Sequence, residues 1–261
     1  YYQARFARAY YYFCMIRMYG PVFLIGDEIL DFNLSPTELA RPRNTWEQCV
    51  NYVVSEMEEC INSNYIKKTW ESPTEYGLAT KGACQAVIAR LLLYSARDLF
   101  NGNQLYMGVR NPVTEKYPDL SGQNLFPDYD ANKWKLAMDA SKALIDNPQQ
   151  LFDNYELYRY KAPNGDDTDP YANYYGITQD PWNKEIIFSS GYTARDNMAR
   201  SLAPTGLKGG TPYGAAAPTQ QQVDAYAMDN GRFPITGYNA DGSPIIDRGS
   251  KYPLTGELTL E

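Results

Sequence analysis

The chain has 261 residues, 44 % of them hydrophobic, which is enough for one large domain or two small ones with a substantial core. Its 24 basic and 31 acidic residues leave a net charge of -7, which argues against a phosphate-tracking nucleic-acid binder, general attraction to anionic lipid, and an anionic polymer as ligand. Histidine is absent, so Ser-His-Asp and Cys-His nucleophile systems, H-E-x-x-H zinc sites and imidazole proton shuttles are excluded.

The first predicted element runs from Ala4 to Tyr19, where Phe6, Ala9, Tyr10, Phe13 and Ile16 recur at three- and four-residue spacing. Tyr12, Met15 and Tyr19 widen the stripe, and Arg5, Arg8 and Arg17 are expected at its margin. Gly20 followed by Pro21 ends the helix. Val22 to Ile25 is a short apolar run, and the connector with Ser35-Pro36 and Arg41-Pro42 reads as a loop.

A second helix is predicted over 46–62, opened by Thr45 and Gln48 as a capping box and striped by Trp46, Cys49, Val53, Met57 and Cys60 or Ile61. Glu56, Glu58 and Glu59 read as its solvated acidic face, because side-by-side glutamates do not face each other across a substrate. Ser72 to Gly77 is a turn. Thr80 then caps a third helix over 81–99, the most apolar of the chain, with Ala83, Val87, Leu91 and Tyr94 beside Cys84, Ile88, Leu92 and Ser95. Ala79, Ala83, Ala86 and Ala89 let a neighbour approach closely.

Between Asn101 and Asp128 the helical period disappears, and a loop that long is expected to serve as a ligand wall or to move. Asp130 is expected to cap a fourth helix over 131–146 through Trp134, Met138, Ser141 and Ile145. Asp128, Asp130 and Asn132 have the opening spacing of a calcium-binding EF-hand loop, but Lys133 and Asp139 stand where that loop demands Gly and Glu. Asp166, Asp167 and Asp169 are read as a polar turn.

Residues 149–181 carry six tyrosines without sustained periodicity, Glu185 to Ser189 reads as a short strand, and Gly191 to Pro218 reads as irregular. Thr219 and Gln222 open a helix of about two to three turns ending before Gly231, and Asp241-Gly242 marks a turn in a tail of coil. The expected architecture is all-α, with helix pairs, long irregular loops and very little β. No apolar run approaches the roughly 20 residues of a membrane span. The opening at Tyr1 in mid-helix leads us to expect a piece of something longer.

The chain has 24 tyrosines against 9 phenylalanines, a ratio that suits wet hydroxyls at a surface or cleft and polar, apolar-faced ligands such as sugars; the plainer account places Tyr at core boundaries. Cys14, Cys49, Cys60 and Cys84 lie on helical segments without a C-x-x-C pair and read as buried free thiols, with no metal or cofactor implied.

The run A-R-F-x-R-A-Y-Y-Y-F with M-Y-G-P-V at the head of the chain resembles the helix and exit turn of the SusD/RagB family. So do T-K-G-A at Thr80, A-R-L-L-L-Y-S-A at Ala89, W-x-x-A-x-x-A at Trp134, N-K-E-I-I-F at Asn183 and P-T-Q-x-x-V-D-A-Y-x-M-x-x-G at Pro218, in the family's order. The resemblance implies a single SusD-like domain of TPR-like helices over about 1–146 and a loop-rich ligand-facing region over about 147–261. It further implies a non-catalytic glycan receptor on the outer face of the outer membrane, held by an N-terminal lipid absent from this chain. Its partners would be an oligosaccharide or polysaccharide and a SusC-like TonB-dependent transporter, and no nucleic acid. A helical-repeat protein-interaction scaffold and a carbohydrate-active enzyme stay open as alternatives. Trp182, Tyr192, Arg195, Asn197 and Tyr213, flanking the E-I-I-F segment, combine rings for stacking with a guanidinium and an amide for hydroxyls and are the expected ligand residues.

Overall fold

The inward faces of the first three long helices meet to form the core, and the fourth packs against the third. A computed structural model describes residues 1–31, 33–160, 169–189, 195–203, 205, 206 and 213–251. Its contacts divide the chain into two compact units, 1–191 and 192–261.

In the first unit, α1 (Tyr2–Tyr19) buries Phe6, Ala9, Tyr12, Phe13 and Ile16, while Met15 and Tyr19 stay outside. Gly20, at φ 70°, donates its N–H to Ile16 O and turns the chain out of the helix as its sequence implies. A one-turn helix α2 (Pro36–Leu39) interrupts the expected loop, because Ser35 and Glu38 form a capping box around Pro36. The helix α3 (Trp46–Asn62) has the predicted bounds and the predicted Thr45–Gln48 capping box, and its stripe is buried from Trp46 to Ile61. Helix α4 (Lys81–Ala96) is capped by Thr80 and buries Leu91 to 1 % exposure. It packs on α3, on α1 and on α5 (Asn132–Asp146). At its N-terminus Gly82 is required by contact: a Cβ there would lie 2.6 Å from a Tyr155 ring carbon, and the Tyr155 hydroxyl reaches Thr80 Oγ1 at 3.4 Å.

Two inward faces differ from the sequence reading. Glu56 is buried, 7 % exposed, because it stands three residues after Val53 and four before Cys60, on the packed stripe rather than beside Glu58 and Glu59. It survives there by accepting from Arg5 Nη2 at 2.8 Å and Arg8 Nη2 at 2.7 Å across from α1. Burial pushes the Glu56 carboxyl upward, but the hydrogen bonds from the two guanidiniums outweigh it and hold the group below its ordinary range.

On α5 the expected stripe points out: Trp134, Met138 and Ile145 are exposed. The inward positions are Lys133, Ala137, Ala140 and Leu144, since two alanines permit the close approach to α4 that a tryptophan would block. Gln85 Nε2 donates to Ala140 O at 2.8 Å, and buried Lys133 pairs with Glu47. The first turn begins at Ala131; Asp130 accepts from Asn132 N–H rather than serving as the cap residue itself.

Residues 101–128 fold back on themselves. Leu125 N–H bonds Val109 O, Asn111 N–H bonds Gln123 O, and Asn111 Nδ2 donates to Arg43 O at 2.7 Å, while Trp46 N–H fixes the segment to α3 through Leu125 O. A helix α6 (Pro170–Gln179) lies where no periodicity was legible, started by Asp169, whose carboxylate accepts from the N–H groups of Tyr171 and Ala172, and by Pro170. Asp166 and Asp167 lie outside the described residues. Glu185 to Ser189 is not a strand, for no second strand pairs with it among the described residues. Phe188 instead sets its ring edge-on to Phe6 at 5.4 Å and Tyr10 at 6.1 Å, so α1 supplies the apolar contact that a sheet would have given.

In the second unit, α7 (Arg195–Leu202) occupies part of the segment read as irregular, because R-D-N-M-A-R-S-L has no Gly or Pro and several good helix formers. The predicted later helix is shorter than expected, α8 (Gln220–Asp224), with Gln222 N–H bonded to Thr219 Oγ1. The tail holds a small antiparallel hairpin, β1 (Ile235–Tyr238) and β2 (Pro244–Ile246), turned at the predicted Asp241-Gly242. Among the described residues this is the whole sheet content, and the all-α expectation stands. No described helix is long and apolar enough to cross a membrane.

Candidate functional site

The turn leaving α3 carries Trp70 and Tyr76 to one wall of a cleft of about 450 Å³ in the first unit. The turn is fixed by charge: Lys67 Nζ bonds Glu71 and Glu75, each at 2.7 Å, and Glu71 N–H bonds the second Glu75 oxygen at 2.8 Å. The 3-10 turn Pro73–Glu75 fills the space between them, and the Trp70 indole N–H donates to Leu78 O at 2.9 Å. The polar edge of Trp70 is thereby satisfied by backbone, and its ring serves as surface.

Trp182 completes the aromatic wall. Its ring stacks on Tyr76 with centroids 4.7 Å apart and planes 26° apart, and stands edge-on to Trp70 at 5.0 Å and 78°. Trp70 and Tyr76 meet edge-on at 5.7 Å. Trp182 holds this position in the left-handed region, φ 61°, which a residue with a Cβ adopts only at a cost in strain. Asn183 pins the chain immediately after it, donating to Asp180 O at 2.8 Å and Ile177 O at 3.1 Å.

Polar groups make up much of the remaining lining. Asp153 accepts from Thr69 Oγ1 at 2.8 Å and from Lys184 Nζ at 3.1 Å. Burial pushes its carboxyl up, but hydrogen bonds from Thr69, the Asn154 N–H and Lys184 prevail and keep it below the ordinary carboxylate value. Tyr158 closes the end, packed over Gly176 with its N–H bonded to Glu185 at 2.8 Å; a Cβ on Gly176 would lie 2.7 Å from its ring. The cleft is thus lined by three aromatic rings in mutual contact and by hydrogen-bonding groups. Such a combination of groups suits a ligand that has flat C–H faces and hydroxyl edges. Among the described residues no cluster of acidic or sulfur ligands can hold a metal ion.

Of the residues singled out from sequence, Trp182 lies in this cleft. Tyr192 lies outside the described residues. Arg195 and Asn197 sit in the first turn of α7 in the second unit, on a helix rather than the expected loop, with side chains outside the described set. Tyr213 is exposed in the second unit, its N–H bonded to Arg200 O at 2.7 Å. Trp70 and Tyr76 were missed; the signal was two large rings within a turn already marked by Pro73 and Gly77, where a core has no use for them.

Residues 1–93 match the model of a SusD-like family described as starch-binding, associating with the outer membrane. No curated protein matches the sequence significantly. Among solved structures, the protein BT4246 has a TM-score of 0.68 at 24 % identity, over 93 % of this chain and 43 % of its own. A SusD-like protein (BF3747) from Bacteroides fragilis NCTC 9343 has a TM-score of 0.57 at 22 % identity, over 92 % of this chain and 37 % of its own. The chain spans less than half the length of either structure. Its first 93 residues carry the SusD-like sequence signature, and the chain has the SusD-like, TPR-like helical fold.

Proposed function

We propose that the protein is a non-catalytic glycan-binding receptor of the cell surface, and that it presents oligosaccharides to a SusC-like TonB-dependent transporter at the outer face of the outer membrane. The observation that carries the glycan reading is one cleft lined by the Trp70–Tyr76–Trp182 cluster together with Asp153 and Lys184. Sugar rings stack on aromatic faces through their C–H groups, and their hydroxyls pair with carboxylate, amide and ammonium groups. The description of the family matched by residues 1–93 agrees with this reading in both ligand class and location.

Asp153, one of three carboxylates lining the cleft with Glu156 and Asp180, is not poised as the acid of a glycosidase. Glycoside hydrolysis needs a carboxylic acid with a raised pKa to protonate the leaving oxygen, whereas Asp153 is held ionised by Thr69 and Lys184. Affinity electrophoresis against a panel of polysaccharides, with product analysis, tests the reading. Retardation without new reducing ends supports it, no retardation by any member opposes it, and turnover replaces it with an enzyme.

A further inference from the structure

A second cleft, of about 610 Å³, lies between the connector before α3 and the fold-back of residues 109–125. Arg41, Arg43, Arg110 and Lys116 line it, and no aspartate or glutamate is among its lining residues. In a chain of net charge -7 that is a local reversal of sign. Arg41 is neutralised by Glu28, which accepts from both terminal nitrogens at 2.6 Å, yet its buried Nε–H has no acceptor among the described residues. Arg43 and Arg110 are exposed and form no ion pair among the described residues. Lys116 donates one of its three protons to Glu38 O at 2.9 Å and lies 5.3 Å from the centre of the Tyr117 ring. Tyr117 and Val109 supply apolar surface beside these cations.

The backbone beneath is fixed, so the charges are not on a free loop. Asn111 is 6 % exposed and ties Arg43 O to Leu120 O, and Arg110 pairs with Asn124 in an isolated bridge. Glu28 offsets the charge of Arg41 and Glu38 part of that of Lys116, whereas Arg43 and Arg110 stand without an ion pair among the described residues, and crowding these like charges costs folding energy that a bound anion returns.

We propose that this cleft is a second, separate subsite that takes the carboxylate of a uronic acid, with Arg43, Arg110 and Lys116 as donors and Tyr117 against the sugar ring. Guanidinium forks match a carboxylate with two parallel hydrogen bonds, while Tyr117 and exposed Val109 suit the C–H face of a pyranose better than the flexible stem of a glutamate. The sugar part rests on the glycan reading above; the anion part rests on the cations alone. The net negative charge that argues against anionic polymers is an average over the surface, and this cleft departs from it.

The test is calorimetric titration of the whole chain with trimeric oligogalacturonate, trimeric alginate, the methyl ester of the former, and triglutamate. Binding of at least one uronate trimer, at least tenfold weaker to Arg43→Gln and to Arg110→Gln and weakened by salt, is expected. The methyl ester and triglutamate are expected to bind at least tenfold more weakly to the unaltered chain. Both arginines are exposed, so circular dichroism of the variants should be unchanged. No binding of either uronate, binding insensitive to both substitutions, or equal binding of the ester or of triglutamate overturns the proposal. A Trp182→Ala control separates the two clefts: it should leave uronate binding intact while weakening neutral-glycan binding, and neutral-glycan binding that survives it unchanged would count against the aromatic cleft, not this one.

Discussion

The Trp182 ring stacks on Tyr76 at 4.7 Å from a backbone position, φ 61°, that a tryptophan does not choose for itself. Packing against Tyr76 and Trp70, together with the Asn183 hydrogen bonds, holds it there. A left-handed residue with a Cβ costs about 1 to 2 kcal/mol that glycine does not. We therefore expect Trp182→Gly to be more stable than Trp182→Ala by about 1 kcal/mol in urea unfolding, the reverse of the order seen in ordinary helix or strand positions. An alanine variant equal to or more stable than the glycine variant would show that the backbone relaxes once the ring is removed.

Glu56→Gln should destabilise the first unit by about 2 kcal/mol. Breaking a buried ion pair costs roughly 3 to 5 kcal/mol. The figure is discounted here because Arg5 and Arg8, with side chains 18 % and 31 % exposed, can recover water. Chemical denaturation at neutral pH measures it, and a change under about 0.5 kcal/mol would contradict it.

The same carboxylate makes stability pH-dependent on the acid side. Its value in the folded chain lies below the ordinary 4.5, so between the two the unfolded chain binds more protons. The stabilisation is complete above about pH 4.5 and is lost as pH falls through the folded value. The melting temperature of the unaltered chain should fall more steeply below pH 4.5 than that of Glu56→Gln. Parallel curves would remove Glu56 from the account.

Leu91→Ala should cost about 2 to 5 kcal/mol, the range for truncating a large aliphatic side chain in a close-packed interior, since Leu91 is 1 % exposed on the helix that touches α1, α3 and α5. A thermal shift within error of the unaltered chain would contradict its place in the core.

The helices were legible wherever caps and period agreed, as at Thr45–Gln48 and Thr80, because those signals act within one turn of chain. Which face turns inward was less legible. Glu56 and Lys133 are buried by partners 48 to 51 and 86 residues away, Arg8 and Arg5 on α1 and Glu47 on α3, which no local pattern announces. Trp134 faces outward because the alanines beside it, not its own hydrophobicity, decide how near α4 comes. The E-I-I-F segment is apolar for a reason the strand reading did not weigh, a seat against α1. Of the site, the sequence located one ring, Trp182. The other two lie more than 100 residues earlier in a turn, and only tertiary packing brings them together.

Calorimetric titration of a glycan that the unaltered chain demonstrably retains, repeated with Trp182→Ala and Tyr76→Ala, decides whether the aromatic cleft is where that glycan binds. Each substitution should weaken binding by about 1 kcal/mol or more, a factor of five or greater, with melting temperatures shifted far less than for Leu91→Ala. Undiminished affinity in both variants would contradict the assignment of the Trp70–Tyr76–Trp182 cleft as the glycan site.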